Sequence, residues 1–297
     1  MALVKVSVVI PTYYRPKDLA DLFDSLLRQT VKPMEVIVVD DTPTNVIEKV
    51  CETYHDSFKG FNIKLVYVRN YRERSAAIAR NIGASMANGE IMLFLDSDVV
   101  LLPDYIEKIL EVFDEKPETL GVQGWINLGI ASKGHIYTKR HIIVNIWRMI
   151  FHLSYIRHSE TKKFKLFQYP SNLQKITLCE SLSGSNMALK RSVFDEFKFD
   201  ENLLKYSYME DKLFTYSVYK KYPNSLYITP YAKCVHKVSE EGRITTSTFE
   251  HPHLRACRKY VLKKLFGTKG IIIFGWQTLG LLTLSISRKI WRFIRKK

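Results

Sequence analysis

Two short acidic clusters carry the chemistry this sequence can offer. Asp96-Ser97-Asp98 closes an apolar run, and Glu210-Asp211 opens a helical pattern. In extended backbone, residues i and i+2 face the same side, so Asp96 and Asp98 can reach one cation. Hard oxygen donors of this kind suit Mg2+ or Mn2+ bridging a diphosphate. The same acids would also serve as solvated loop residues or a helix cap. Glu210-Asp211 reads on its own as an acidic first helical turn. At the start of a helix the dipole favours ionised Asp211, while like-charge repulsion from Glu210 opposes that shift.

The elements that position these acids follow from apolar periodicity. Val4–Ile10, Glu35–Val39, Ile63–Val68 and Ile91–Leu95 are β-rich runs of strand length. Between them, apolar residues recur three and four apart: Leu19, Leu22, Phe23, Leu26 and Leu27; Val46, Ile47 and Val50; Ala77, Ile78, Ile82 and Met86. This alternation predicts an α/β fold with parallel strands joined by right-handed crossovers, doubly wound because the strands are apolar nearly throughout. Pro11-Thr12-Tyr13-Tyr14-Arg15, Asp40-Asp41-Thr42 and Asp96-Ser97-Asp98 follow the first, second and fourth strands. Open parallel sheets bind ligands beyond the carboxyl ends of their strands, where these residues fall. From about residue 120 the pattern loosens. A helix is expected over Arg140–Ser154, a basic loop over Lys162–Lys175, a strand at Met187–Leu189 and a helix from about Glu210 to Tyr222.

The chain has 297 residues, and 46% of them are hydrophobic and 25% charged, which suits a globular protein with a sizeable core. Its four cysteines are far apart and form no CxxC pair, so a reducing compartment is expected. The amino terminus shows no secretory pattern, which places the active domain in the cytoplasm as an expectation. Net charge is +15, yet residues 252–297 hold twelve Lys or Arg and no acid, leaving +3 for the rest. Within that tail Ile271–Ser287 is uncharged, with basic residues on both sides and Trp276 and Trp291 near it. A basic tail around an apolar run points to an anionic membrane surface rather than to nucleic acid. The segment from 255 to 297 is expected to hold the protein peripherally or monotopically on the cytoplasmic face of the membrane.

Five motifs in order make a resemblance specific. Val6–Tyr13 (VSVVIPTY), Glu35–Asp41 (EVIVVDD), Ala79–Gly83 (ARNIG), Gly89–Asp98 (GEIMLFLDSD) and Gly184–Lys190 (GSNMALK) together resemble the family 2 glycosyltransferases. The match covers about residues 4 to 240. The resemblance implies a GT-A fold, a mixed and mostly parallel sheet flanked by helices, here followed by a basic amphipathic helical extension. It implies a nucleotide-sugar-binding half over 1–100, an acceptor-binding and catalytic half over 101–250, and a membrane-associating tail over 251–297. It also implies inverting transfer from a nucleoside diphosphate sugar, most commonly of uridine, with Mg2+ or Mn2+.

Carried over by position, Pro11, Thr12, Tyr13 and Arg15 form the loop against the nucleotide, with Tyr13 stacking on the base. Asp41 would accept a hydrogen bond from the base edge, and Arg80 would lie near the nucleotide. Asp98 would be the principal metal ligand, with Asp96 and Ser97 close to the ribose and metal and His236 a third ligand. Asp211 would be the general base beside Glu210. Arg243, in the polar loop Ser239–Thr246, reads equally as a residue that closes over the diphosphate or as part of a solvated loop. The acceptor would be a glycan or a polyprenyl-linked lipid. Lys212 follows the acidic pair, Phe197–Asp200 lacks the family's usual glycines, and no QxxRW motif occurs, which argues against a processive polysaccharide synthase. The competing readings are a sugar nucleotidyltransferase, which would need a glycine-rich phosphate loop after the first strand, and an inactive membrane-bound binding protein.

Overall fold

The computed structural model describes residues 4–127, 146, 147, 150, 151, 173–239, 241, 244 and 251–294, with side chains to 284. The four apolar runs are strands β1 (Val6–Thr12), β2 (Glu35–Asp40), β3 (Lys64–Arg69) and β4 (Ile91–Leu95). They are ordered β3-β2-β1-β4, and every pairing is parallel. Helices α1 (Pro16–Leu27), α2 (Val46–Gly60) and α3 (Ala76–Met86) make the crossovers. Val8, Ile10, Val36 and Val38 pack on the side of Leu19 and Phe23, while Val9, Ile37 and Val39 pack with Ala77 and Ala79. Both faces of these strands are therefore covered, which is why their sequences are apolar without alternation. Pro16 opens α1, and Ser75 caps α3 by accepting a hydrogen bond from the Ile78 amide at 3.4 Å.

The second half of the chain extends the same sheet. It contributes β5 (Val99–Leu101), α4 (Tyr105–Glu115), β6 (Gly121–Asn127), β7 (Thr177–Leu178), β8 (Asn186–Lys190), α5 (Glu210–Lys221) and β9 (Leu226–His236). Strand β8 is antiparallel to β4 and to β6, β9 is parallel to β6, and β5 and β7 run antiparallel to β9. The result is one mixed nine-stranded sheet crossing the boundary between the two expected halves. The β4–β8 seam brings the 183–185 turn to the end of β4, where the Asp96 amide bonds the Ser185 carbonyl at 3.1 Å.

The tail forms α6 (Pro252–Ile294), which bends sharply at Gly267, a residue held at φ 58°. Glycine reaches that left-handed conformation without a Cβ penalty. Before the bend, Cys257, Val261 and Leu265 pack on Leu203 and on Leu213 of α5. Among the described residues, Pro252–Leu284 is the one helix long and apolar enough to cross a membrane by length and composition. Of the helix expected over Arg140–Ser154, residues 146, 147 and 150 are described and helical, while most of the loop expected over Lys162–Lys175 lies outside the described residues.

Candidate active site

The parallel strands end together, and their register sets the first part of the site. Thr12 lies opposite Asp40, and the Asp41 amide bonds the Thr12 carbonyl at 3.0 Å. Asp41 accepts hydrogen bonds from Asn70 Nδ2 at 2.6 Å and from the Ser75 amide at 3.1 Å. Burial raises its pKa to about 6, against the pull of these donors and of Arg74. Beside Pro11, the Tyr13 ring carries the Arg74 guanidinium 3.6 Å from its centroid. A flat ring and a nearby carboxylate are the chemistry that reads a nucleobase. Asp40 faces away from this corner and accepts from the Thr42 amide and the Tyr67 hydroxyl, holding the strand ends together.

Asp96 and Asp98 do converge, although not by strand alternation. Residues 97 and 98 form a turn, closed by a hydrogen bond from the Val99 amide to the Asp96 carbonyl at 3.1 Å. The expectation of an extended Asp-Ser-Asp segment is corrected here: β4 stops at Leu95, and the turn reverses the chain into β5. Pairing of β5 with β9 sets His236 opposite Val99, which brings its ring to Asp98. Asp98 is fully buried; one oxygen lies 3.1 Å from His236 Nε2, and the other 3.1 Å from Arg15 Nη1 and 3.0 Å from the Ser239 amide. Burial alone would raise its pKa, but His236, Arg15 and Ser239 hold it down at about 2.

Ligand atoms of Asp96, Asp98 and His236 all lie within 4.8 Å of one another. Two carboxylate oxygens and an imidazole nitrogen, brought from two segments to one point, fit Mg2+ or Mn2+. Ser97 is buried between the two acids. The Arg15 guanidinium also donates to the Ser239 and Glu241 carbonyls, tying the segment after β9 to the loop after β1. Arg243 lies outside the described residues.

Arg80 joins this cluster to the second one. It is buried, with Nη2 bonded to Asp96 Oδ1 at 2.8 Å and to the Gly184 carbonyl at 3.1 Å, and with Nη1 paired to Glu210. Its guanidinium thus holds two acids. Burial pushes the Glu210 pKa upward, against the attraction of Arg80. Asp211 accepts from the Gly184 amide at 3.0 Å and from the Lys212 amide at 2.8 Å. Burial opposes its charge, yet Lys212, the Gly184 amide and Arg80 hold its pKa below the ordinary value. Asp211 is therefore ionised at neutral pH, as a proton acceptor must be.

Local backbone fixes this arrangement. Met209, just before α5, is left-handed at φ 69°, an uncommon conformation for a residue with a side chain. Gly184 fits tightly, since a Cβ there would stand 2.9 Å from Arg80 Nη2 and 3.2 Å from Asp211 Cβ. Arg74 and Asn70, which complete the Tyr13–Asp41 corner, were not singled out from sequence.

Parallel strands that continue into a mixed sheet, with this acid cluster at their carboxyl ends, define a glycosyltransferase domain of the GT-A type. The chain belongs to glycosyl transferase family 2, whose family model matches residues 7–197. Its curated relatives include an uncharacterized glycosyltransferase of Haemophilus influenzae, 29% identical over 139 residues, which are 46% of this chain and 44% of that one. The chain spans less than half the length of the first curated relatives it matches. Among solved structures, the mannosyltransferase PcManGT of Pyrobaculum calidifontis, in complex with GDP-Man and Mn2+, superposes with a TM-score of 0.57 at 15% identity, over 99% of this chain and 82% of that one. GalNAc-T7 with UDP, GalNAc and Mn2+ superposes with a TM-score of 0.61 at 17% identity, over 88% of this chain and 48% of that one. At such identities the two structures speak for the fold alone.

Proposed function

We propose that the protein transfers a sugar, with inversion and one residue at a time, from a nucleoside diphosphate sugar to a hydroxyl or phosphate acceptor. Uridine is the proposed base. The acceptor is a glycan or polyprenyl-linked lipid met at the cytoplasmic face of the membrane. The observation that carries this reading is the Arg80 guanidinium, which ties Asp96 of the metal-ligating cluster to Glu210, the neighbour of Asp211. Donor-side and acceptor-side acids thereby belong to one network. Packing of α6 on α5 through Val261, Leu265 and Leu213 supports an acceptor delivered from the membrane, because the basic tail lies against the helix that bears Asp211.

In this mechanism Tyr13 stacks on the base, and Asp41 accepts a hydrogen bond from its ring N–H. Asp96, Asp98 and His236 would hold Mg2+ or Mn2+, and the bound cation would supply positive charge against the leaving diphosphate. Asp211 takes the proton of the acceptor hydroxyl as that oxygen bonds the anomeric carbon from the face opposite the diphosphate. The bond from that carbon to the diphosphate oxygen breaks, its electron pair leaves with the nucleoside diphosphate, and Asp211 releases its proton to solvent. A phosphate acceptor arrives already ionised and does not call on the base.

The test is incubation with a panel of nucleotide sugars, with and without Mn2+, followed by analysis of the nucleotide released. Mn2+-dependent release of a nucleoside diphosphate is expected. Pyrophosphate release would indicate a nucleotidyltransferase, and binding without turnover would favour an inactive binding protein.

A further inference from the structure

Beyond Gly267 the tail helix is apolar on its outward face as well as on most of its inward one. Its inward face carries Ile273, Gln277 and Gly280, all turned to the body of the protein; Gln277 Oε1 accepts a hydrogen bond from Arg258 Nε at 2.9 Å. Gly280 sits so close to Phe151 that a Cβ there would come within 2.4 Å. The outward face carries Ile272, 69% exposed, then Trp276, 43% exposed, Leu279 and Leu282, at three- and four-residue spacing. A surface helix bathed in water keeps its outward face polar.

A second segment adjoins this stripe. Trp276 Nε1 donates to the Ile150 carbonyl at 2.8 Å across 126 residues of sequence, and its ring lies 4.8 Å from that of Phe151. Trp147 Nε1 reciprocates, donating to the Gly280 carbonyl at 3.2 Å. Ile146 and Ile150 are exposed in this segment, so an apolar surface is built from two distant parts of the chain.

We infer that this composite surface seats in the headgroup region of an anionic bilayer leaflet, with the helix lying in the membrane plane. The inference rests on the membrane reading given above and specifies its geometry. Charge selects the occupant: residues 252–297 contain twelve Lys or Arg and no acid, and Lys263 and Lys269 are exposed just ahead of the stripe. Orientation follows from the inward face, which Arg258 and Phe151 already occupy, so lipid cannot surround the helix. The uncharged run Ile271–Ser287 covers roughly 25 Å at about 1.5 Å per residue, short of a ~30 Å hydrocarbon core, with Arg288 and Lys289 following it on the same helix. Tryptophan at the boundary between apolar and charged surface is the expected interfacial anchor.

The full chain should sediment with phosphatidylcholine vesicles containing about one-third phosphatidylglycerol, and at least about tenfold less with phosphatidylcholine alone. The double substitution Ile272→Asp, Leu279→Asp, and separately Ile150→Asp, should each weaken sedimentation at least about tenfold. Both change exposed side chains, and unchanged thermal unfolding would verify the fold. Lipids brominated near the headgroup should quench more of the fluorescence that Trp276→Phe removes than lipids brominated near the chain ends. Vesicle binding unaffected by these substitutions would overturn the inference, as would stronger quenching by the deep label, which denotes a spanning helix. A concentration-dependent dimer that the substitutions abolish, without vesicle binding, would assign the surface to a second copy. Mn2+-dependent donor binding, measured on the same proteins without vesicles, should be unchanged; its absence in all of them would count against the transferase mechanism while leaving the lipid result readable.

Discussion

Asp98 and Asp41 are buried acids of one site whose partners leave their pKa values displaced in opposite directions. Asp98 is held ionised by His236, Arg15 and the Ser239 amide, whereas burial of Asp41 outweighs its donors and raises its pKa to about 6. Asp98→Ala should weaken Mn2+-dependent donor binding at least about tenfold, measured calorimetrically with and without the metal; an unchanged metal response would remove Asp98 from the metal site. For Asp41 the sign is specific. As pH falls through about 6 its carboxylate takes up a proton and can no longer accept from the base, so the donor KM should rise. Stability should move the other way, because an acid whose pKa is raised on folding binds its proton more tightly in the folded state. The cost of its buried charge is relieved as pH falls from about 6 toward 3.8, its unfolded value. Asp41→Asn should flatten both profiles; a donor KM that still rises below pH 6 would assign the dependence to another group. At this scale the sequence disclosed the acids, through their types and their places after strands. It did not disclose Arg74 and Asn70, because Asn70–Ser75 (NYRERS) reads like any solvated charged loop and meets Tyr13 only through tertiary packing.

Helices α3 and α5 are connected by Arg80, and this strut makes the site a matter of element placement. Removing one member of a buried ion pair leaves the other charge uncompensated, at a cost of about 3–5 kcal/mol. Arg80→Ala should lose stability on that order in urea unfolding. Arg80→Lys should keep the charge yet lose transfer, since one ammonium cannot span Asp96 and Glu210 as a guanidinium fork does. An Arg80→Ala protein of wild-type stability and turnover would contradict the strut. The first four strands were legible because covered parallel strands are continuous apolar runs. Strand β9 was not: it contains Pro230, exposes Tyr231 and Lys233, and changes partner from β7 to β5 along its length. Its proline falls where the β6–β9 register shifts, between the Gln123–Ile228 and Trp125–Lys233 pairs, so no regular ladder is broken there. Strand β5, three residues long, carries too little pattern to be read, although it is the element that sets His236 beside Asp98.

Across the whole molecule, charge and apolar surface are segregated. The tail holds twelve of the basic residues with no acid, and its first half is the wall on which α5 rests. Composition alone revealed a basic tail with an uncharged stretch. It could not reveal that Gln277 turns inward while Trp276 turns out, since both lie in a run that is apolar nearly all round. The same segregation relates membrane seating to transfer, because the helix that would lie in the headgroups continues into the one that buttresses Asp211.

The most direct test of the mechanism compares donor affinity and turnover in Asp211→Asn. The carboxamide preserves shape while removing the proton acceptor, the charge and one of the two oxygens that accept from the Gly184 and Lys212 amides, so thermal unfolding of the variant is measured alongside. Donor affinity in the presence of Mn2+ should stay within about twofold, while transfer to a hydroxyl acceptor falls at least about 100-fold. Turnover near that of the unsubstituted enzyme would place the base elsewhere and contradict the account.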